Sequence, residues 1–482
     1  MFARLLILVL ALAVPPIAVV AEPPTNVVLI VSDDLGHADL GCTGSVYYQT
    51  PNLDRLAAEG VRFTQAYAAC AVCSPTRASI LTGRYPARVG VTDWIRPLAG
   101  TTWTEAGVRA APAYGGGPKR RLLTPRNPRW MERDEITIAE QLSDNGYTCG
   151  FIGKWHLGPE GWMPEDQGFT FNAGGCDFGH PPHYFDPYPA AHQKTTFPNL
   201  PPRQEGEYLT DREADEAVGF IRANADRPFF LCLAHYAVHS PIQAKADLIA
   251  RYEARLQAGT PPEGDGQDFP PYAAMVHSVD DAAGAIMRTL DELGLADNTL
   301  VIFTSDNGGA VHFRATDNRP LRSGKGRPYE GGIRVPLLMR WPAGLPEATV
   351  TKTPANTIDL LPTILAATNT PLPLNTRIDG IDLAPTARGT NGDRALFWHY
   401  PHYWWGGRLT PYSIIRDGRW KLIRWYETGV DELYDLDRDP AEATDVAASN
   451  AVVVRELGAR LEGWLEGVGA TIPKANPAYT GG

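Results

Sequence analysis

Cysteine and methionine are scarce in this chain, at six each in 482 residues. The cysteines (Cys42, Cys70, Cys73, Cys149, Cys176 and Cys232) are spread widely, which excludes a small disulfide-built scaffold. Positive charge is in deficit, and the formal net charge is -11. That balance argues against a nucleic-acid partner. Any anion handled here has to be held by a local cluster of cationic groups. Repeats and low-complexity tracts are lacking. So is any apolar run beyond the N-terminus long enough to span a bilayer. What remains is a globular composition, 44% hydrophobic and 21% charged, long enough for a large buried core.

The N-terminus reads MFARLLILVLALAVPPIAVVAEPP. A lone Arg4, an apolar run from Leu5 to Val14, and Val19 and Ala21 ahead of a cut before Glu22 describe a secretory signal over residues 1–21. The rival reading is an uncleaved anchor, but the run is short and Pro15 and Pro16 interrupt it. The expectation is a secreted or periplasmic protein without stable membrane insertion.

From residue 26 onward, apolar strand-like runs alternate with amphipathic helical stretches. NVVLIV, YTCGFIG, RPFFLCLAHY and NTLVIFTS read as buried strands. TPNLDRLAAEG, TIAEQLSDNG, TDREADEAVGFIRAN and YAAMVHSVDDAAGAIMRTLDELG read as helices, the third capped by Thr210 or Asp211. Alternation with fully apolar strands predicts an α/β fold, a largely parallel sheet covered on both faces. Beyond about residue 390 the text turns aromatic and hairpin-like, with Asp417-Gly418 at a tight turn and a last helix over AVVVRELGARLEGWLEG. The expected organisation is a catalytic domain over 22–390 and an antiparallel subdomain over 391–482. Residues 100–130, rich in Gly, Pro and Arg, read as a surface insertion near the active face.

Ligands in parallel α/β sheets bind beyond the carboxyl ends of the strands. Here those ends run into Asp33-Asp34, Lys154-Trp155-His156, His239-Ser240 and Asp306-Asn307. Asp33, Asp34, Asp306 and Asn307 offer only oxygen, which suits calcium or magnesium rather than zinc. The bland alternative is that such residues only cap turns. The stretch AACAVCSPTRASILTG adds Cys73 at the positive end of a short helix, PTRASILT, with Ser74 as N-cap, Pro75 at the first helical position, Gly83 at the exit and Arg77 about one turn in. A helix N-terminus with an arginine suits a tetrahedral oxyanion. A zinc half-site lacks its second pair, and a thioredoxin-type pair explains neither Arg77 nor the acidic groups. A Cys70–Cys73 disulfide stays open for an exported protein.

CSPTRASILTGR, residues 73–84, resembles the signature of the type I sulfatases of the alkaline phosphatase superfamily. Further matching segments follow in order, among them NVVLIVSDDLGHADLGCTG, GKWHLG, HYAVHSPIQ, VIFTSDNGG, SGKGRPYEGGIRVPLLMRWP and LYDLDRDPAEATDVA. The resemblance implies an alkaline-phosphatase-like mixed, largely parallel sheet with a smaller C-terminal antiparallel sheet. It implies hydrolysis of a sulfate monoester, a sulfated carbohydrate being the expected substrate. It also implies that a maturation enzyme oxidises Cys73 to formylglycine, whose hydrate attacks sulfur with one hydroxyl. The second hydroxyl then expels sulfate and restores the aldehyde.

The ligand set carried over for one calcium, with magnesium the lesser alternative, is Asp33, Asp34, Cys73, Asp306 and Asn307. Arg77 would steady the diol, and Lys154 and Lys325 would clamp sulfate oxygens. His239 would be the acid for the leaving alcohol, and His156 the base for the diol. A divalent ion with three aspartates and three cations leaves about two net positive charges for an anionic substrate.

The chain departs from the family pattern at Thr76 and at His37-Ala38-Asp39, where His37 would be a local feature near the metal. GGCDFGHPPHYFDPY resembles a specificity segment, so His180, with His183, is expected to bind substrate. The aromatic run from Tyr400 to Trp405 reads equally as leaving-group contact or subdomain core. The alternatives are a phosphate or phosphonate hydrolase on the same fold, or a non-catalytic metal- or sugar-binding protein with an unmodified Cys73.

Overall fold

The computed structural model describes residues 24–98, 101–188, 197–262, 265–311, 314–390, 392–404 and 409–481. The expected signal segment lies outside them. Among the described residues no helix is long and apolar enough to cross a membrane.

Eight strands form the main sheet: β1 (Asn26–Ser32), β2 (Val61–Phe63), β3 (Thr148–Gly153), β4 (Phe171–Ala173), β5 (Phe229–Ala234), β6 (Thr299–Ser305), β7 (Leu337–Arg340) and β8 (Thr349–Thr351). Their spatial order is β8-β2-β7-β6-β1-β5-β3-β4. Only β7 runs against the others.

The central strand β1 shows why its text is apolar throughout. Successive side chains point to opposite faces. Val28 and Ile30 enter one core, with α4 (Leu209–Ala223), α5 (Ala246–Gln257) and α6 (Pro270–Glu292). Val27, Leu29 and Val31 enter the other, with α2 (Cys73–Thr82), α3 (Ile138–Asp144) and α7 (Leu360–Ala367). The apolar face of α6, from Tyr272 through Met275 and Val279 to Leu290, is buried in the first core. A further helix, α1 (Pro51–Ala58), ends just before Gly60, where a Cβ would stand 2.2 Å from the Met339 carbonyl.

Four antiparallel strands follow: β9 (Leu396–Tyr400), β10 (Tyr412–Asp417), β11 (Trp420–Trp425) and β12 (Val430–Asp435). Gly418 turns the β10–β11 hairpin at φ 55°. One face of this sheet, with Trp398, Tyr400, Tyr412 and Ile414, packs on Cys70, Ala71 and Val72 immediately before α2. The other packs on α8 (Ala451–Gly467) through Leu457, Leu461 and Leu465. The small sheet therefore backs the segment that presents Cys73. It also explains Cys70, a buried apolar packing residue. All six cysteines are unpaired.

Two expected caps differ. α4 starts at Leu209 with Tyr208 before it, and neither Thr210 nor Asp211 caps it. Asp211 is instead held by Lys245 at 2.9 Å. α2 starts at Cys73 rather than after Ser74. The Ser74 hydroxyl is taken by tertiary bonds: it donates to the His156 carbonyl at 3.0 Å and accepts from the Ile95 amide at 2.9 Å. Gly83 ends α2 in the left-handed region, as expected.

Candidate active site

Four parallel strands end side by side, and each delivers polar side chains to one edge. Asp33 and Asp34 leave β1, Lys154 and His156 leave β3, His239 follows β5, and Asp306 and Asn307 leave β6. Main-chain bonds fix these exits to one another. The Asp33 amide donates to the Ala237 carbonyl at 2.9 Å, the Asp306 amide to Ser32 at 3.1 Å, and the Lys154 amide to Ala234 at 2.6 Å. Asp34 and His156 turn sharply there, at φ 62° and 57°, in a region that ordinary residues enter at a cost.

Asp33, Asp34 and Asp306 are fully buried, and one carboxylate oxygen from each lies within 4.8 Å of the others. Three cations face them. Lys154 Nζ donates to Asp33 Oδ2 at 2.6 Å. Lys325 Nζ stands 2.6 Å from Asp34 Oδ1. Arg77 Nε donates to Asp306 Oδ2 at 2.8 Å, while its Nη1 donates to the Lys154 carbonyl at 2.6 Å. Lys325 reaches the cluster from a loop whose turns are gathered by Asn318, the amide of which donates to the carbonyls of Gly309, Ser323 and Gly331.

Burial, then the neighbouring Asp306, push the Asp33 carboxyl well above the usual range. Burial also acts on Asp34, but Lys325 and His239 outweigh it and hold that carboxyl below the usual range. Buried Asp33 Oδ1 and Asn307 Oδ1 lack a hydrogen-bond partner. The three carboxylates, one of them carrying an orphaned oxygen, and the orphaned Asn307 Oδ1 fit the donor set that a hard divalent cation takes.

Cys73 opens α2. Burial raises its thiol pKa, against the pull of Lys154 and Lys325, so an unmodified thiol there is a poor nucleophile at neutral pH. Burial, then Lys154, pull His156 well below the usual imidazole range. His156 Nε2 bonds the Ile95 carbonyl at 2.6 Å, which leaves the buried Nδ1 as a bare acceptor. Burial, then Lys325, do the same to His239. Its Nδ1 faces the Ser240 carbonyl at 2.8 Å, and its Nε2 lies 3.6 Å from Asp34 Oδ2. In both, burial and the neighbouring cations favour the neutral imidazole.

His180 stacks on His239, ring centroids 5.8 Å apart and 11° from parallel. His183 instead turns back on Phe185, with Nδ1 3.1 Å from the Phe185 carbonyl. His37 faces the Val335 carbonyl at 3.3 Å, beside Arg334, and stands outside the acidic cluster. Tyr400 belongs to the small sheet's core, whereas a Cβ on Gly326, next to Lys325, would meet the Trp404 ring at 2.1 Å. Trp405 lies outside the described residues. Sequence reading passed over Tyr184, whose hydroxyl donates to the Tyr236 and His239 carbonyls at 2.7 and 2.8 Å and sets the His239 backbone. It also passed over Ile95, which clasps Ser74 and His156. Neither carries a local signal, because each acts on segments tens of residues away.

The family model described as Sulfatase matches residues 25–370. The chain belongs to the sulfatase family. A second model, "N-sulphoglucosamine sulphohydrolase, C-terminal", matches residues 325–466 of this sulfatase. Human arylsulfatase A is 36% identical over 88% of this chain and 83% of its own length. Mouse N-acetylgalactosamine-6-sulfatase is 35% identical over 91% of this chain and 79% of its own length. The solved structure of Ps i-CgsB in complex with k-i-k-neocarrahexaose is 30% identical, covers 92% of both chains and superposes with a TM-score of 0.74. The chain is thus an enzyme that hydrolyses sulfate esters, on the alkaline-phosphatase-like fold.

Proposed function

We propose that this sulfatase removes sulfate from a sulfated carbohydrate through a nucleophile derived from Cys73. The observation that carries the reading is convergence: Cys73 at the first position of α2 meets Arg77, Lys154 and Lys325 over one buried three-aspartate cluster. The carbohydrate class is supported by relatives whose names specify a sulfated amino sugar or a carrageenan-type oligosaccharide.

Asp33, Asp34, Asp306 and Asn307, with the converted Cys73, would hold one calcium. That ion would supply Lewis-acid polarisation of a sulfate oxygen and of the nucleophile. Conversion of Cys73 to formylglycine by a maturation enzyme would supply a geminal diol, which can attack sulfur and later release it without waiting for water. Arg77, locked to Asp306 and to the Lys154 carbonyl, fixes the α2 end against the metal ligands. Lys154 and Lys325 take the equatorial sulfate oxygens, where charge gathers in the transition state. His156 offers its bare Nδ1 to a diol proton. His239 serves the leaving oxygen once its Nε2 is protonated, a form that Asp34 favours, and His180 lines the same side for the sugar. Residues 1–21 act as an export leader, 22–390 as the catalytic unit and 391–482 as the supporting one.

The test compares sulfate and phosphate monoesters of one alcohol, followed by a panel of defined sulfated mono- and oligosaccharides. Preference for the sulfate ester, and turnover of at least one sulfated sugar, is the expected result. Preference for the phosphate ester would overturn the reading.

A further inference from the structure

The cationic groups considered so far are all neutralised by the acidic cluster. A second group of cations is not. Beside the catalytic edge lies an open cleft of about 710 Å³, in the size range of ligand sites. Asp93, Trp94 and Arg96, side chains between Val108 and Arg129, and His402 and Tyr403 between β9 and β10 line it. Four of its side chains are arginines: Arg96, Arg120, Arg126 and Arg129. Among the described residues none of the four forms an ion pair. Arg109, in the same insertion, is by contrast fully occupied by Glu105 and Glu132.

Aromatic rings and carbonyls orient the four instead. Arg96 lies over the Trp94 ring at 5.4 Å, and Arg120 over Tyr403 at 4.5 Å. Arg126 donates to the Val108 carbonyl, and Arg129 to the Arg96 carbonyl at 3.1 Å. The one acidic side chain in the lining is Asp93; its carboxylate accepts from the Tyr400 hydroxyl at 2.7 Å and feels the Arg96 charge without an ion-pair contact. Arg96 and Arg126 depress the Arg129 pKa in addition to its burial, a sign of unrelieved repulsion within the group.

The cleft's lining is tied to the candidate site through neighbouring residues. Trp94 and Arg96 flank Ile95, whose amide bonds Ser74 and whose carbonyl bonds His156. At the other end Tyr403 adjoins Trp404, which covers Gly326 next to Lys325. In a protein of net charge -11, a cationic cleft whose lining adjoins residues of an anion-processing site suits the same ligand better than a separate one.

We propose that the arginine cleft binds further anionic groups, sulfate or carboxylate, of the saccharide whose scissile sulfate occupies the catalytic edge, so that the enzyme selects multiply charged chains over single sulfated sugars. This rests on the sulfated-carbohydrate reading above. Guanidinium forks suit sulfate and carboxylate oxygens.

The test uses Arg96→Ala/Arg120→Ala, whose side chains form no hydrogen bond or ion pair among the described residues. Binding is measured by calorimetry with size-defined di-, tetra- and hexasaccharides of chondroitin sulfate, heparin and ι-carrageenan. Turnover of 4-nitrophenyl sulfate is followed in parallel. The wild type is expected to gain tenfold or more in affinity from di- to tetrasaccharide in at least one series. The variant should lose that gain and its salt dependence while keeping 4-nitrophenyl sulfate turnover within twofold. No length gain in any series, an equal gain in the variant, or equally tight binding of a single-stranded oligonucleotide would overturn the cleft proposal. Loss of all sulfated-sugar turnover with the length gain intact would instead overturn the substrate reading and leave the cleft as an anion site.

Discussion

Arg77 and Asp306 form a buried pair, Nε to Oδ2 at 2.8 Å, that ties the first turn of α2 to the exit of β6. The pair joins the helix of the proposed nucleophile to the proposed metal ligands, so geometry and charge depend on the same contact. Removing one partner of a buried ion pair leaves the other uncompensated and costs about 3–5 kcal/mol. Arg77→Ala is therefore expected to lose activity and to lower the midpoint of thermal unfolding by several degrees. A variant that loses activity at unchanged melting temperature would show that the pair is not structural.

The donor set around Asp33, Asp34, Asp306 and Asn307 predicts stabilisation by a divalent cation. Binding to the folded chain alone contributes about 2.7 kcal/mol at a hundredfold excess over Kd. Melting temperature should fall with a chelator and recover with calcium more fully than with magnesium. Asn307→Ala, which removes one orphaned oxygen, should weaken the calcium response. An unchanged melting curve in chelator would count against the site.

The role proposed for His239, serving the leaving oxygen, reads out through the leaving group. General acids contribute most when the departing alcohol is a poor leaving group. His239→Ala should cut kcat/KM about 10²–10⁴-fold for a sugar sulfate, and far less for an aryl sulfate with an acidic phenol. Equal losses on both substrates would point to binding rather than proton transfer.

Much of this was legible in the chain itself. The fully apolar text of β1 and β6 announced a sheet covered on both faces, and the polar pairs after each strand marked the edge where they meet. α2 starts two residues earlier than the sequence suggests, because Ser74 bonds Ile95 and His156 rather than capping its own helix. Such long-range hydrogen bonds leave no periodic trace. The same holds for Cys70: its spacing from Cys73 suggested a pair, yet packing against Tyr412 and Trp398 decides its role. The flanking arginines were visible only as a basic insertion. That Arg96, Arg120, Arg126 and Arg129 share a cleft needed the fold.

Acid sensitivity follows from histidines buried in neutral form. Burial pulls His399 down to about 4, and its ring bonds Ser413 Oγ at 2.7 Å and the Thr471 carbonyl at 3.2 Å. The unfolded value is about 6.5, so between the two the unfolded chain binds the extra proton, and stability rises with pH until about 6.5. The span corresponds to about 3 kcal/mol lost as pH falls from 6.5 to 4. His37 and His402, each pulled to about 3 by burial, act in the same direction. Denaturant unfolding across this range should show a shallower slope for His399→Gln than for the wild type. An identical slope would remove His399 from the account.

The central claim concerns the side chain at position 73. The tryptic peptide over residues 63–77 contains both Cys70 and Cys73, and its mass spectrum from protein produced with the maturation enzyme tests the claim most directly. The account predicts formylglycine at Cys73 with Cys70 left as a thiol, and turnover that scales with the fraction converted. A fully active sulfatase whose Cys73 remains an unmodified thiol would contradict it.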